Sequence, residues 1–389
     1  MSISSLIFGN GLYDTNTEKI LRERIEENGI RIYCKAFENK HIQERINEEF
    51  MAISFYGNGA LLLHASDVVK TAYKKGYPTS FHGNLGTSLV AFFLGLTGVN
   101  PLPFHCYCKE CGYVKFYKSA LDYKNRILTV CPDSKTSLER DGNNLHFCFY
   151  LDPWFFSVRN IYIDVPKMVL EKSSIDKMDF RSNHGKEVLQ INGKVELELL
   201  YYLKKTTGIE PSDITFDDAE VFMAFVSGEV SKFTRGIVPD VMRSINPHDM
   251  SELVNAIGIV SGIDIWRNNE ALLTDKRHNL ERVGVFREDV FNNLVTFGIA
   301  EKNAFEITNE IRLGYQNIEQ PNKVTMMNYL RKKGVPEYYV KYLSGIRYLP
   351  SKASTIKVAE IEYVLAWYKL KFPEDYRKAC VKLKCGALV

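Results

Sequence analysis

The side chains best suited to bind a metal are four thiols: Cys106, Cys108 and Cys111 inside HCYCKECG, and Cys131 at the head of CPDS. A Cys-x-x-Cys knuckle, Cys108 to Cys111, followed by a third thiolate is the first part of a structural zinc site, because Zn²⁺ takes four soft donors in a tetrahedron. Ser134 stands where a second Cys-x-x-Cys would close the set. The fourth ligand is therefore expected from Cys106, His105, Asp133 or water, and a metal-free remnant held by packing is the alternative.

Two further groups invite phosphate chemistry. In FHGNLGTS (81–88), Gly83 and Gly86 would let backbone N–H groups approach phosphate oxygens, while Thr87 and Ser88 add hydroxyls. No lysine follows the second glycine, so this is not the P-loop pattern, and a plain turn before SLVAFFLGLTG is the competing reading. In NIYID, strand alternation places Asn160, Tyr162 and Asp164 on one face. A two-metal site needs two or three converging carboxylates. Only Asp164 is acidic on that face, with Asp176 and Asp179 nearby in sequence, and solvated surface carboxylates are the alternative.

The elements that must position these groups are mixed. Residues 16–52 are charge-rich with apolar residues at helical spacing and read as surface helices, with Asn16 or Thr17 as a cap. FYGNGALLLHASDVVKTAYKKGYP predicts a helix and a turn at Gly76–Pro78. Strand patterns follow near 145–151 and at 160–164. VELELLYYLKKTTG predicts a helix closing on Gly208 before the break at Pro211. From Met250 a series of helices each closes at a glycine: SELVNAIG, REDVFNNLVTFG, AEKNAFEITNEIRLG and KVTMMNYLRKKG. The expected boundary lies near residue 230.

Composition sets the outer limits. The chain has 389 residues, 50 Lys plus Arg against 47 Asp plus Glu, 45% hydrophobic and 25% charged residues, which excludes disordered and collagen-like classes and suggests two or three folded units. The absence of an apolar run of about 18 residues, and of a signal-peptide start, predicts a cytoplasmic address and no membrane partner. Residues 331–389 hold 13 Lys/Arg and 5 Asp/Glu, so the positive charge is concentrated there. Such a patch can meet phosphate backbones, or it can be the solvated face of amphipathic helices.

Several segments together resemble the polymerase core of the C-family bacterial replicative DNA polymerases, the PolC-type DNA polymerase III alpha subunit. GYPTSFHGNLGTSLVAFFLGLTGVNPLPFHCYCKECGYVKF is similar, in unbroken order, to that family's triphosphate loop, Val-Asn-Pro-Leu-Pro stretch and zinc module. SELVNAIGIVSGIDIW, GVPEYYVKYLSGIRYLPSKAS and VLAWYKLKFPEDY resemble its fingers domain. The likeness covers most of residues 40–376. It implies an α+β fold: a polymerase-type palm with a mixed β-sheet in residues 1–229, a small zinc-ribbon-like insertion at about 100–145, and an all-α fingers domain over 230–389. It also implies that the exonuclease, phosphatase-like and clamp-binding regions lie outside this chain.

Carried across residue by residue, the family's three catalytic aspartates fall on Asn160, Tyr162 and Gln190. The family's nucleotide-binding positions keep Gly83, Gly86, Ser88 and Lys352, but His82 replaces an arginine and Ser354 a histidine. Only 14 residues separate Asp164 from Asp179 where the family carries its thumb. Phosphoryl transfer depends on metal cations that neutralise and position the phosphates, and a neutral triad holds no pair of Mg²⁺ ions. The expected function is that of a catalytically inactive pseudo-polymerase acting by binding DNA, a dNTP or a replisome protein, as a phage or mobile-element replication accessory or inhibitor. Tyr348, Trp367, Tyr368, Lys369, Lys371, Arg377 and Lys378 are the candidates for meeting single strands. The alternative is an active nucleotidyltransferase with a two-metal site rebuilt around Asp164 and Asp179, with Asp176 and Glu187 in support.

Overall fold

Apolar residues three and four apart give the N-terminal helices their buried stripes. The structure, a computed structural model, describes residues 15–117, 127–146, 160–170, 177–182, 185–229, 238–267, 269–274, 283–312 and 320–385. It divides into two compact units, Met1–Glu198 and Leu199–Val389. The expected boundary near 230 and the strand pattern over 147–151 lie outside the described residues.

The first unit opens with α1 (Thr15–Tyr33), a 3-10 helix (Cys34–Glu38), α2 (Lys40–Tyr56) and α3 (Gly59–Lys74). Thr15 is already helical, so Asn16 and Thr17 lie within the first turn and do not precede it. These helices are not surface decoration, because Leu21, Ile25, Ile42, Ile46, Phe50 and Ile53 are all buried. The chain continues through β1 (Ser80–His82), a 3-10 turn (Leu85–Thr87), α4 (Leu89–Phe93), β2 (His105–Tyr107), β3 (Val114–Phe116) and β4 (Glu139–Asp141). It then forms β5 (Ile161–Pro166), α5 (Lys167–Leu170), β6 (Lys177–Ser182) and β7 (Gly185–Lys194).

Two small sheets result. One is mixed, in the order β1-β5-β7-β6, with β5 and β7 parallel and both edge strands antiparallel to their neighbours. Ile161, Ile163 and Val165 of β5 and Leu189 of β7 are buried. The other sheet, β3-β2-β4, is antiparallel. It is tied to α1 through a buried polar chain in which the His105 ring meets the Pro103 carbonyl through Nδ1 (2.7 Å) and the Tyr33 hydroxyl through Nε2 (2.8 Å). Asn100 Nδ2 donates to the Tyr33 oxygen (2.6 Å) and to Asp141 (2.7 Å), and its own oxygen accepts from Leu102 N–H. Burial depresses the His105 pKa, which keeps the ring neutral.

Gly142 sits at φ +102°, and a Cβ there would lie 2.3 Å from the Pro103 carbonyl oxygen. Gly142→Ala is therefore expected to cost about 2–3 kcal/mol in a urea melt, through backbone strain and overlap together. Gly98, where a Cβ would meet nothing within 4 Å, is the control, and its alanine variant should stay within about 1 kcal/mol of wild type.

The second unit is helical, beginning within α6 (Val195–Thr207), which ends on Gly208 at φ +74° as its sequence predicts. There follow α7 (Ala219–Ser227), α8 (Val238–Ile245), α9 (Met250–Ser261), α10 (Glu270–Leu273), α11 (Arg287–Thr296) and α12 (Glu301–Arg312). The last four are α13 (Gln320–Lys332), α14 (Glu337–Gly345), α15 (Lys352–Lys371) and α16 (Pro373–Leu383). Gly298 and Gly334 take the left-handed conformation after α11 and α13. Gly258 does not end its helix. It lies inside α9, where a Cβ would fall 2.4 Å from the Phe286 ring, so this glycine serves close packing and not capping. No helix among the described residues is long and apolar enough to cross a membrane.

Candidate functional site

The pairing of β5 with β7 sets Tyr162 opposite Gln190 and Asp164 opposite Asn192, while β1 brings His82 opposite Tyr162. The positions singled out in the sequence thus meet on one sheet. Asp164, 4% exposed, is the carboxylate of this group, and its charge is already engaged. His82 Nδ1 lies 3.2 and 3.3 Å from its two oxygens, and Asn192 Nδ2 donates to Oδ1 at 3.2 Å. A carboxylate only accepts, so Nδ1 carries the imidazole proton. Gln190 Nε2 in turn donates to Asn192 (3.0 Å), and the His82 ring stacks on Tyr162 at 4.6 Å and 21°. Asn160 Oδ1 accepts from the Val188 N–H at the strand entrance.

Asp179 pairs through its backbone with Val188, and Glu187 with Phe180. That register sets Asp179 two strands over and four residues along from Asp164, about 16 Å away at ordinary strand spacings. Asp176 lies outside the described residues. Two Mg²⁺ ions held about 4 Å apart need carboxylates that converge on both, and the donor set among the described side chains, with amides, a phenol and one histidine-paired carboxylate, does not fit them.

The loop at 81–88 is anchored from below. Glu49 on α2 is fully buried and accepts from Ser88 Oγ (2.7 Å), Leu89 N–H (2.9 Å) and Val90 N–H (3.0 Å). Arg45, one turn earlier, pairs with the same carboxylate through Nε and donates to the carbonyls of Thr87 (3.0 Å) and Leu145 (3.3 Å). Ser88, Thr87 and Gly86 are all buried. Ser88 thus donates to the protein's own carboxylate. Gly83, at φ +81° over the Tyr162 ring, is the loop glycine that leaves the interior. Neither Glu49 nor Arg45 carries a motif. A buried glutamate in a charged helix has no local signature.

The thiols converge as three, not four. The sulfurs of Cys108, Cys111 and Cys131 lie within 4.8 Å of one another, with Cys111 and Cys131 at 3.5 Å, against about 3.8 Å between thiolates on one tetrahedral zinc. Cys106 is excluded: its sulfur contacts the Tyr117 hydroxyl at 3.5 Å within the small core that also holds Leu138. His105 is likewise committed, to Pro103 and Tyr33. Burial pushes the Cys108 thiol up, but the hydroxyls of Ser134 and Thr136 and the N–H groups of Cys111 and Glu110 bring it down to about 6. Cys131 is lowered in the same manner against its burial, by Ser134 and the N–H groups of Ser134 and Asp133. For Cys111, the Tyr113 N–H pulls down while burial and the Cys131 and Cys108 sulfurs push up, and the thiol ends above its usual range. Three soft donors at this spacing fit Zn²⁺, which would cross-link the knuckle to the 131–136 turn.

In the second unit Lys352 opens α15 but is held: its Nζ donates to Asp289 at 2.9 Å. Buried Glu288 accepts from the Lys352 N–H (2.9 Å), Ser351 Oγ (3.1 Å) and Arg287 Nε (3.2 Å). Several basic and aromatic residues at the C-terminal end also have partners within the unit, although Lys371 and Arg377 stay exposed. Tyr368 is buried with its hydroxyl on the Ile209 carbonyl, Lys371 pairs with Asp218 and Glu220, Lys369 donates to the Glu229 carbonyl and Arg377 pairs with Glu374. Trp367 packs on Tyr368 and Phe372. Tyr348, 37% exposed, and Lys378, Lys382 and Lys384 remain at the surface.

Residues 18–181 match the family model described as the bacterial DNA polymerase III alpha NTPase domain. Across a longer span the chain is 22% identical over 487 aligned residues to a PolC-type DNA polymerase III of Thermotoga petrophila, covering 95% of this chain and 35% of that protein. It is 23% identical over 462 residues to the PolC-type enzyme of Mycoplasma genitalium, covering 89% of this chain and 32% of the relative. With the corresponding protein of Mycoplasmopsis pulmonis the identity is 22%, over 92% of this chain and 32% of the relative. The chain spans about a third of the length of these relatives. Because the domain match takes in β1, β5, the loop and the cysteine knuckle, and the longer alignments extend the same likeness over most of the sequence, the chain is a distant relative of the PolC-type bacterial DNA polymerase III family.

Proposed function

We propose that this protein is a polymerase-derived binding protein: a PolC-like palm and fingers that no longer transfers nucleotides and acts by holding nucleic acid. The observation that carries this reading is the β5-β7 face, where Asn160, Tyr162 and Gln190 bring no negative charge and Asp164 is tied to His82 and Asn192. On this reading the mixed sheet is the palm, the β3-β2-β4 sheet with its cysteines is the zinc module, and the helical second unit is the fingers. DNA is favoured over a free dNTP because the donors at the start of α4 are spent on Glu49 and the Lys352 ammonium on Asp289. The alternative of a rebuilt two-metal site is opposed by the backbone separation of Asp164 from Asp179. A role as a replication accessory or inhibitor of a phage or mobile element follows from a fold kept without its chemistry.

Primer extension on a primed template, with Mg²⁺ and then Mn²⁺, should give no product from the wild type or from Asp164→Ala. Extension by the wild type that disappears in the variant overturns the proposal. Binding of a fluorescent single-stranded oligonucleotide, followed by anisotropy, should weaken about tenfold between 50 and 200 mM salt if two or three phosphates are neutralised. Absence of oligonucleotide binding moves the partner to a replisome protein.

A further inference from the structure

Ser134 stands beside the cluster of three sulfurs. Its Oγ lies 3.2 Å from the Cys108 sulfur, and Ser134 belongs to the turn that carries Cys131, whose sulfur is 3.5 Å from that of Cys111. Thr136 Oγ1 backs it at 2.8 Å and reaches Cys108 at 3.4 Å. On one tetrahedral zinc, a thiolate and an oxygen donor stand about 3.5 Å apart, close to both of these separations. Of the other side-chain candidates, Cys106 faces Tyr117, His105 is closed into its chain with Tyr33, and Asp133 does not join the group of three sulfurs.

We propose that this knuckle is a three-thiolate, one-oxygen zinc site in which the Ser134 hydroxyl, oriented by Thr136, completes the tetrahedron. This rests on the zinc reading given above. Zn²⁺ would take Cys108, Cys111 and Cys131 as thiolates, any thiol proton still present passing to solvent, whereas Ser134 keeps its proton and coordinates as a neutral alcohol. The loaded centre then carries one net negative charge instead of the two of a four-thiolate site. A neutral alcohol is a weak fourth ligand for a borderline-soft metal. The ion is therefore held less tightly than in a closed four-cysteine site and exchanges more readily.

The test is titration of the full-length, metal-stripped chain with Co²⁺, then displacement by Zn²⁺, in wild type, Ser134→Cys and Ser134→Ala. The wild type should give tetrahedral cobalt bands, with a sulfur-to-metal charge-transfer intensity about three-quarters of that in Ser134→Cys. Zinc affinity, read by chelator competition, should rise about tenfold or more in Ser134→Cys and fall in Ser134→Ala. If the wild type takes up neither cobalt nor zinc, the zinc reading fails and this proposal with it. If cobalt binds but Ser134→Cys changes neither its charge-transfer intensity nor its affinity, the assignment of Ser134 alone is overturned and the three-cysteine zinc site stands.

Discussion

Glu49→Ala should cost the first unit about 3–5 kcal/mol, among the largest effects of any single substitution in this chain. The carboxylate is fully buried and joins four donors: the Arg45 guanidinium, the Ser88 hydroxyl and the N–H groups of Leu89 and Val90. Removing it strands a part-buried cation together with three polar groups that water does not reach, and each unpaired neutral group alone costs about 1–3 kcal/mol. Urea denaturation measures the loss as a lower midpoint with an unchanged slope. Glu49→Gln retains the shape and two acceptor lone pairs, and should recover part of the deficit. A fall of less than about 1 kcal/mol in the alanine variant would show that the loop at 81–88 is held by its apolar packing and not by this carboxylate.

The second large effect belongs to Lys352→Met. Its ammonium pairs with Asp289, and the two side chains are 19% and 15% exposed. Burial raises the Asp289 pKa above its ordinary value near 3.8, Lys352 works against that rise, and Glu288 adds to it. A carboxyl whose native pKa is raised contributes stability that is fully present below the unfolded value and is lost as pH rises through the native one. The methionine variant removes the counterforce, so its Asp289 pKa climbs further. At neutral pH it should be about 2–3 kcal/mol less stable than wild type, with the gap narrowing towards pH 4 as the carboxyl protonates in both proteins. Denaturation midpoints from pH 4 to pH 8 decide this. Two parallel profiles would mean that Asp289 carries no uncompensated charge in the variant.

The sequence carries most where the signal is local. The glycine stops after α6, α11 and α13 are visible because a left-handed residue often closes a helix, and few residues other than glycine accept that conformation. The three-cysteine cluster is visible because a knuckle brings two thiols together within four residues. The meeting of Tyr162 with Gln190, 28 residues apart, comes from the family resemblance, since no periodicity links two parallel strands. What stays hidden is long-range and polar. Glu49 lies in QERINEEF beside Glu44 and Glu48, and only the arrival of Leu89 and Val90 from forty residues away separates the buried glutamate from its neighbours. Glu288 is concealed in the same way beside Asp289, with partners more than sixty residues on. Gly258 misleads for a related reason: its role is set by Phe286, not by the helix it occupies.

The polar chain from Pro103 to Asp141 has a direction. The Pro103 carbonyl can only accept, so the His105 proton sits on Nδ1, which obliges Nε2 to receive from Tyr33; the Tyr33 oxygen then receives from Asn100, whose amide also gives to Asp141. Each arrow fixes the next. A slip of the small sheet by one residue against α1 would take the buried Tyr33 hydroxyl and His105 ring away from these partners. The chain thus acts as a polarity code, admitting one alignment of the cysteine-bearing sheet on its helix and rejecting the neighbouring ones, a selectivity that apolar packing alone does not supply.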